Sequence, residues 1–197
     1  MKSTNITRVV HLVDEQERWR RQGHRGGVVW MTGLPASGKK SIAYELETRL
    51  FEAEFEAYAF DSARIRLGLS SNLGFDREDR RENIRRAGEL AAIMARSGLV
   101  VIAAFISPYQ RDREAARSAA DNFHEVFLDV PPDVCEARDD QGRYARARTG
   151  ELADFTGVSA PYERPTSPEL VLDGAALSQT ACVDQLVAYV ERHFRFP

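Results

Sequence analysis

The sequence predicts an α/β protein: a central five-stranded parallel sheet with helices on both faces. Three features of the 197 residues predict this. Short apolar runs alternate with helical patterns from Gly27 to the C-terminal end, the order that builds parallel sheets. The run Leu99–Ile106 is apolar almost throughout, as a central strand covered on both faces must be. The first apolar run ends in a Gly-rich turn that opens directly into a helical pattern. The length suits one domain with its own core.

Taken in order, Met1–Arg25 reads as a polar N-terminal extension and residues 26–197 as the folded domain. Gly27–Met31 is a buried strand, and Lys39–Glu54 a helix whose apolar stripe includes Ile42, Leu46 and Leu50. Tyr58–Asp61 is the second strand. Arg77–Ser97 is a long Arg/Glu-rich helix with Ile84, Leu90, Ile93 and Met94 expected to face inward and Gly98 to cap its end. Leu99–Ile106, Glu125–Val130 and Leu170–Leu172 complete the sheet, with helices at Arg111–Ala120 and Thr180–Phe194. Between Pro132 and Pro168 the pattern is irregular and rich in Arg, Gly, Thr and Pro. A connection that long suits a mobile lid with some helix, at approximately 135–168, better than a structureless linker.

Composition narrows the function. Hydrophobic residues at 43% and charged residues at 29% are ordinary for a folded soluble chain. A net charge of −3 supplies no basic field for nucleic acid, although the arginines are locally clustered. Cys135 and Cys182 lie in no CxxC or ligand spacing and read as reduced core thiols. No apolar segment is long enough for a signal peptide or a membrane span, so a cytoplasmic location is expected.

Gly33-Leu-Pro-Ala-Ser-Gly38-Lys39 follows a strand and opens a helix, the setting of a phosphate-binding loop. Glycines let successive backbone N–H groups turn toward phosphate oxygens, and the positive end of the helix dipole adds to them. Lys39 supplies a point charge for the terminal phosphates of a nucleotide, with Ser37, Lys40 and Ser41 beside it. Such loops place Ser or Thr directly after the lysine, with its hydroxyl on Mg²⁺. Here that position is Lys40, and Ser41 is turned a further ~100° around the helix. Either Lys40 swings to solvent and the metal is held otherwise, or metal coordination is weakened or lost.

Beyond this loop the sequence resembles adenylylsulfate kinase, a P-loop nucleotide kinase. The resemblance is carried by Leu73-Gly-Phe-Asp-Arg-Glu-Asp-Arg-Arg-Glu-Asn-Ile-Arg-Arg86, by Phe105-Ile-Ser-Pro-Tyr-Gln-Arg-Asp-Arg113 and by Asp154-Phe-Thr-Gly-Val158. Pro161-Tyr-Glu163 and Thr4-Asn5-Ile6 extend it over nearly the whole chain. It implies phosphoryl transfer from MgATP to the 3′-hydroxyl of adenosine 5′-phosphosulfate, with a homodimer as the usual assembly. It also implies that Arg66, Phe75, Arg80, Asn83, Ile106 and Ser107 hold the phosphosulfate nucleotide and that Phe155 stacks on its adenine. Ser107 matches a serine often labelled a phosphoserine intermediate; a backbone or hydroxyl contact is the plainer role. Arg138, Arg143, Arg146 and Arg148 form a basic set on the expected lid, either closing over phosphate or simply solvated.

The family has Asp-Gly-Asp-Asn after its second strand, and its second aspartate contacts the metal and the attacking hydroxyl. This chain has Asp61-Ser62-Ala63-Arg64. Asp61 is retained as a candidate catalytic group with Lys39 and Ser107, and Arg64 enters on the acceptor side. Lys40 and Ala63 therefore both fall where a hard cation takes its oxygen ligands. Two readings follow: Lys40 and Arg64 together replace the ~+2 charge of the metal, or catalysis is lost and a nucleotide-binding regulatory module remains.

Overall fold

A computed structural model describes residues 11–197; the Thr4-Asn5-Ile6 segment of the resemblance lies outside them. The five strands are β1 Gly27–Thr32, β2 Ala57–Asp61, β3 Val100–Ala104, β4 Phe123–Asp129 and β5 Leu170–Asp173. All neighbouring pairs are parallel, in the order β2-β3-β1-β4-β5. The helices are α1 Glu15–Gln22, α2 Lys39–Glu52, α3 Ser62–Arg66, α4 Arg77–Arg96, α5 Gln110–Arg117, α6 Pro132–Ala137, α7 Arg143–Arg148 and α8 Gln179–Phe194.

Every residue of β1 is buried because both faces of the sheet are covered. Val29 and Met31 pack with Ile42, Leu46 and Leu50 of α2 and with Val183, Leu186 and Val190 of α8. Val28 and Trp30 point the other way, into a layer with Ile84, Ala87, Ala91 and Ala95 of α4 and Ala116 of α5. The period of two along a strand divides one apolar run between two cores.

The α4 stripe corrects one expectation. Ile93 is 62% exposed rather than inward. The buried positions are Asn83, Ile84, Ala87, Gly88, Ala91, Ala92 and Ala95, spaced at three and four residues, and Ile93 falls off that line. The stripe is of small residues because α4 lies close to its neighbours: a Cβ on Gly88 would stand 2.9 Å from the Cα of Ala116 on α5. Leu90 and Met94 pack only at the margin of this layer.

The polar extension also holds a helix. Asp14 and Glu17 form a capping box that starts α1, and Gly23 ends it in the left-handed conformation. His24 then fastens the segment to the domain: its Nε2 accepts from the Glu56 N–H at 2.9 Å while its Nδ1–H donates to the Arg25 carbonyl at 3.2 Å. Cys135 and Cys182 are buried and unpaired. Among the described residues no helix is long and apolar enough to cross a membrane.

Candidate active site

The carboxyl ends of parallel strands are where open α/β sheets bind ligands, and the expected site residues gather there. Gly33 follows β1, Asp61 ends β2, Phe105–Ser107 follow β3, and α6 follows β4.

The loop after β1 needs its glycines. Gly33 has φ +153° and Gly38 φ +97°, and a Cβ on Gly33 would meet the Leu128 carbonyl at 2.7 Å. Ala36 also sits at φ +59°, backbone strain of the kind that clusters at ligand sites. The Lys39 side chain turns back into the loop and its Nζ donates to the Gly33 carbonyl at 2.8 Å, the Leu34 carbonyl at 2.6 Å and Ser37 Oγ at 3.0 Å. Burial pushes its ammonium down to about 7. Ser41 is exposed, as its turn around the helix predicts.

Lys40 does not swing away. Its Nζ lies 3.1 Å from Asp61 Oδ2, with the lysine side chain 67% exposed and the aspartate 8%. The other carboxylate oxygen, Oδ1, accepts the Arg64 N–H at 2.8 Å and caps α3. Asp61 thus serves as N-cap and ion-pair partner together. The family's Mg²⁺ does not fit this donor set. Lys40 and Ala63 offer no oxygen, and Asp61 is engaged on both of its own. Among the described residues no group of three or more acidic, His or Cys side chains gathers to hold a metal.

Beside the loop lies a cavity of about 560 Å³ that brings most of the expected substrate residues together. Arg66, Phe75, Arg80, Asn83, Ile106, Ser107, Arg146 and Phe155 all line it, along with Pro35 of the phosphate loop. The Arg66 guanidinium stacks on Phe75 at 4.3 Å and donates to the Leu73 and Gly74 carbonyls. Arg80 reaches the Phe75 carbonyl at 2.6 Å and the Asp154 carbonyl at 2.7 Å, tying α4 to the 154–156 turn. Phe155 is held edge-on by Tyr144 at 5.0 Å. On two of the residues lining this cavity a buried polar atom, Arg66 Nε and Asn83 Oδ1, has no hydrogen-bond partner.

Arg64 is the exception. It is exposed and does not line the cavity; its charge is felt at Tyr44, on the Lys40 side of the site. The third residue of a helix capped by Asp61 points there rather than toward Asn83. Of the lid arginines, Arg143 and Arg146 face the cavity, each paired with an acid, Asp139 at 3.0 Å and Glu151 at 3.2 Å. Arg138 binds the Gly174 carbonyl and Arg148 pairs with Glu136, both away from it. Ser62, Gln141 and Thr156 also line the cavity. Ser62 lies on the expected acceptor side and Thr156 in the quoted lid motif; Gln141, in no motif and off any periodic stripe, carries no signal in the sequence.

Ser107 is buried at φ +39° in a closed network. Its hydroxyl donates to Thr32 Oγ1 at 3.0 Å and accepts from Trp30 Nε1 at 3.2 Å. Thr32 in turn donates to the Ile106 carbonyl at 2.7 Å and accepts from the Tyr162 phenol at 3.0 Å, whose proton burial holds to about 12. A hydroxyl engaged in both directions fixes the strand-end geometry and suits a positioning role better than a covalent one.

A family model described as adenylylsulphate kinase matches residues 25–173. An adenylyl-sulfate kinase of Lactiplantibacillus plantarum is 45% identical over 195 residues, covering 98% of this chain and 94% of that one. One from an Enterobacter species is 47% identical over 185 residues, covering 93% and 92%. Among solved structures, the APS kinase of Mycobacterium tuberculosis in complex with AMPPNP and APS superimposes with a TM-score of 0.81 at 41% identity, over 85% of this chain and 98% of that chain. With the family model matching most of its length and relatives of this identity aligned over nearly all of it, the chain belongs to the adenylylsulphate kinase family.

Proposed function

We propose that the chain transfers the terminal phosphoryl group of ATP to the 3′-hydroxyl of adenosine 5′-phosphosulfate. The observation that carries this reading is the pair of partnerless buried atoms on residues lining one cavity. Arg66 Nε is a donor and Asn83 Oδ1 an acceptor, and each such group costs about 1–3 kcal/mol unless a ligand satisfies it. A nucleotide with an anionic 5′ group supplies both complements. Phe75 and Phe155 offer flat faces for its base, and Arg66 and Arg80 offer forks for phosphate and sulfate oxygens.

The division of labour follows from position. The Gly33–Ser41 backbone holds the ATP phosphates at the N-terminus of α2 above the charge of the loop-bound Lys39, and the cavity beside Pro35 presents the acceptor hydroxyl. Arg143 and Arg146 exchange their acidic partners for transferred phosphate. Phosphoryl transfer passes through a loose transition state in which positioning and charge neutralisation outweigh proton removal. A site lacking an aspartate at Ala63 can therefore still turn over, with a rate loss of about 10²–10⁴-fold for the missing base. A chain that binds both nucleotides with minimal turnover is the second reading, favoured by Ala63 itself.

The test is calorimetric titration with ATP and with adenosine 5′-phosphosulfate, followed by a product assay. Binding of both with formation of the 3′-phosphorylated nucleotide is the expected result. Binding of both with no product supports the regulatory reading instead. A homodimer is proposed on the resemblance alone, with light scattering as its measurement.

A further inference from the structure

We infer that Lys40 is the built-in cation of the phosphate site, so that the loop takes a nucleoside triphosphate free of divalent metal. This rests on the reading of Gly33–Lys39 as a nucleotide loop and adds what neutralises the nucleotide there.

The two adjacent lysines are in opposite states. Lys39 Nζ already donates to three protein oxygens, on Gly33, Leu34 and Ser37, which is the full donor capacity of an ammonium. Lys40 Nζ has one partner, Asp61 Oδ2 at 3.1 Å, and so keeps two N–H donors for a ligand. It stands on the first turn of α2, the end of a helix that attracts anions. Its side chain is 67% exposed while the carboxylate that anchors it is 8% exposed. A free surface lysine would sample many rotamers; this one is held at one end of its reach by a buried acid, with its remaining donors open. The Tyr44 ring lies 6.0 Å from the same ammonium and limits it on another side.

Charge and ligand counting agree. Mg²⁺ on a nucleotide is held by one or two protein carboxylates together with phosphates and waters, and the carboxylate here, Asp61, is already spanned by Lys40 and the Arg64 N–H. A divalent ion would have to displace Lys40 from Asp61 and then sit beside its charge. Lys40 and Arg64 add two positive charges beside the Asp61 carboxylate, where the ion elsewhere supplies ~+2 in addition to the loop lysine. An ammonium delivers its charge as directed N–H donors to phosphate oxygens, without a hydration shell to arrange.

The test is titration of the full chain with ATP, in EDTA and in excess Mg²⁺, for the wild-type protein and for Lys40→Ser and Lys40→Met. The wild type is expected to bind ATP with affinities that agree within about threefold in the two buffers. Both variants should bind about tenfold or more weakly in EDTA, the loss of one charge-assisted contact. Mg²⁺ should recover part of the loss in Lys40→Ser and none in Lys40→Met, since only serine brings a ligand oxygen. Thermal melting without nucleotide reports that each variant is folded, as substitution at an exposed position allows. Wild-type binding that requires Mg²⁺ would overturn the inference and leave the nucleotide reading standing. Variants that bind in EDTA as tightly as wild type would also overturn it. No binding in either buffer would overturn both.

Discussion

Lys40 and Asp61 form an ion pair of 3.1 Å between the first turn of α2 and the carboxyl end of β2. Lys40 stands at one of the two positions, with Ala63, where the family is expected to organise a metal, and the salt bridge ties it to the aspartate two residues before the other. Restoring oxygen ligands should therefore change the cation requirement. The double variant Lys40→Ser with Ala63→Asp is expected to gain Mg²⁺-dependent turnover, by about 10²-fold or more from the restored base. Steady-state rates across a Mg²⁺ series check it, and an unchanged rate would contradict the assignment of these two positions.

The cavity residues make distinct contributions. Arg66→Ala and Arg80→Ala are each expected to weaken binding of the phosphosulfate nucleotide by about 10- to 100-fold, as charge-assisted contacts do, while ATP affinity stays near wild type. Phe155→Ala removes a stacking face worth about 1–3 kcal/mol. Arg64→Ala, outside the cavity, should leave phosphosulfate affinity unchanged. Calorimetry on the four variants separates these outcomes.

Lys39 gives binding a pH signature. Burial holds its ammonium down to about 7, and the negative phosphates of a bound nucleotide raise it again. Binding above pH 7 then takes up a proton, so ATP affinity falls as pH rises through 7 to 9, by up to about tenfold per unit. Titration in two buffers of different ionisation enthalpy measures the uptake directly, and a flat profile with no uptake would contradict it.

Two histidines set the acid side of stability. His24 accepts from the Glu56 N–H and His124 uses both ring nitrogens, on Tyr189 and Asn122. Burial lowers both below the ordinary histidine value. The folded state therefore binds fewer protons than the unfolded chain. The stability these groups contribute is fully present above their unfolded values and is lost as pH falls through the lower folded ones. Melting temperature should drop from pH 7 toward 5, and His24→Gln should shallow that slope.

The two-sided sheet predicts large costs in the core. Leu46 is fully buried between α2 and the sheet, and Leu46→Ala should cost about 2–5 kcal/mol in denaturant unfolding. Ile93→Ala, on the exposed side of α4, should change stability by about 0.5 kcal/mol or less.

How far the sequence was legible depended on whether the signal was local. The phosphate loop, the buried strands and the α2 stripe follow from spacing and composition, and all are present. The cavity residues came from motifs, which carry position within a fold that spacing alone does not. What escaped was nonlocal. Ile93 looked inward because an isoleucine outranks alanine on apolarity, while the close approach of α5 selects the alanine stripe. The fate of Lys40 depended on Asp61, twenty-one positions away in the chain and adjacent only once β2 lies beside β3. The helix α1 is highly charged, and only its capping box announces it.

The most direct measurement incubates the purified chain with ATP and adenosine 5′-phosphosulfate and follows nucleotides by chromatography. ADP and the 3′-phosphorylated phosphosulfate nucleotide are expected in equal amounts, dependent on both substrates and abolished by Lys39→Ala. Binding of both nucleotides with neither product above the Lys39→Ala background would contradict that expectation.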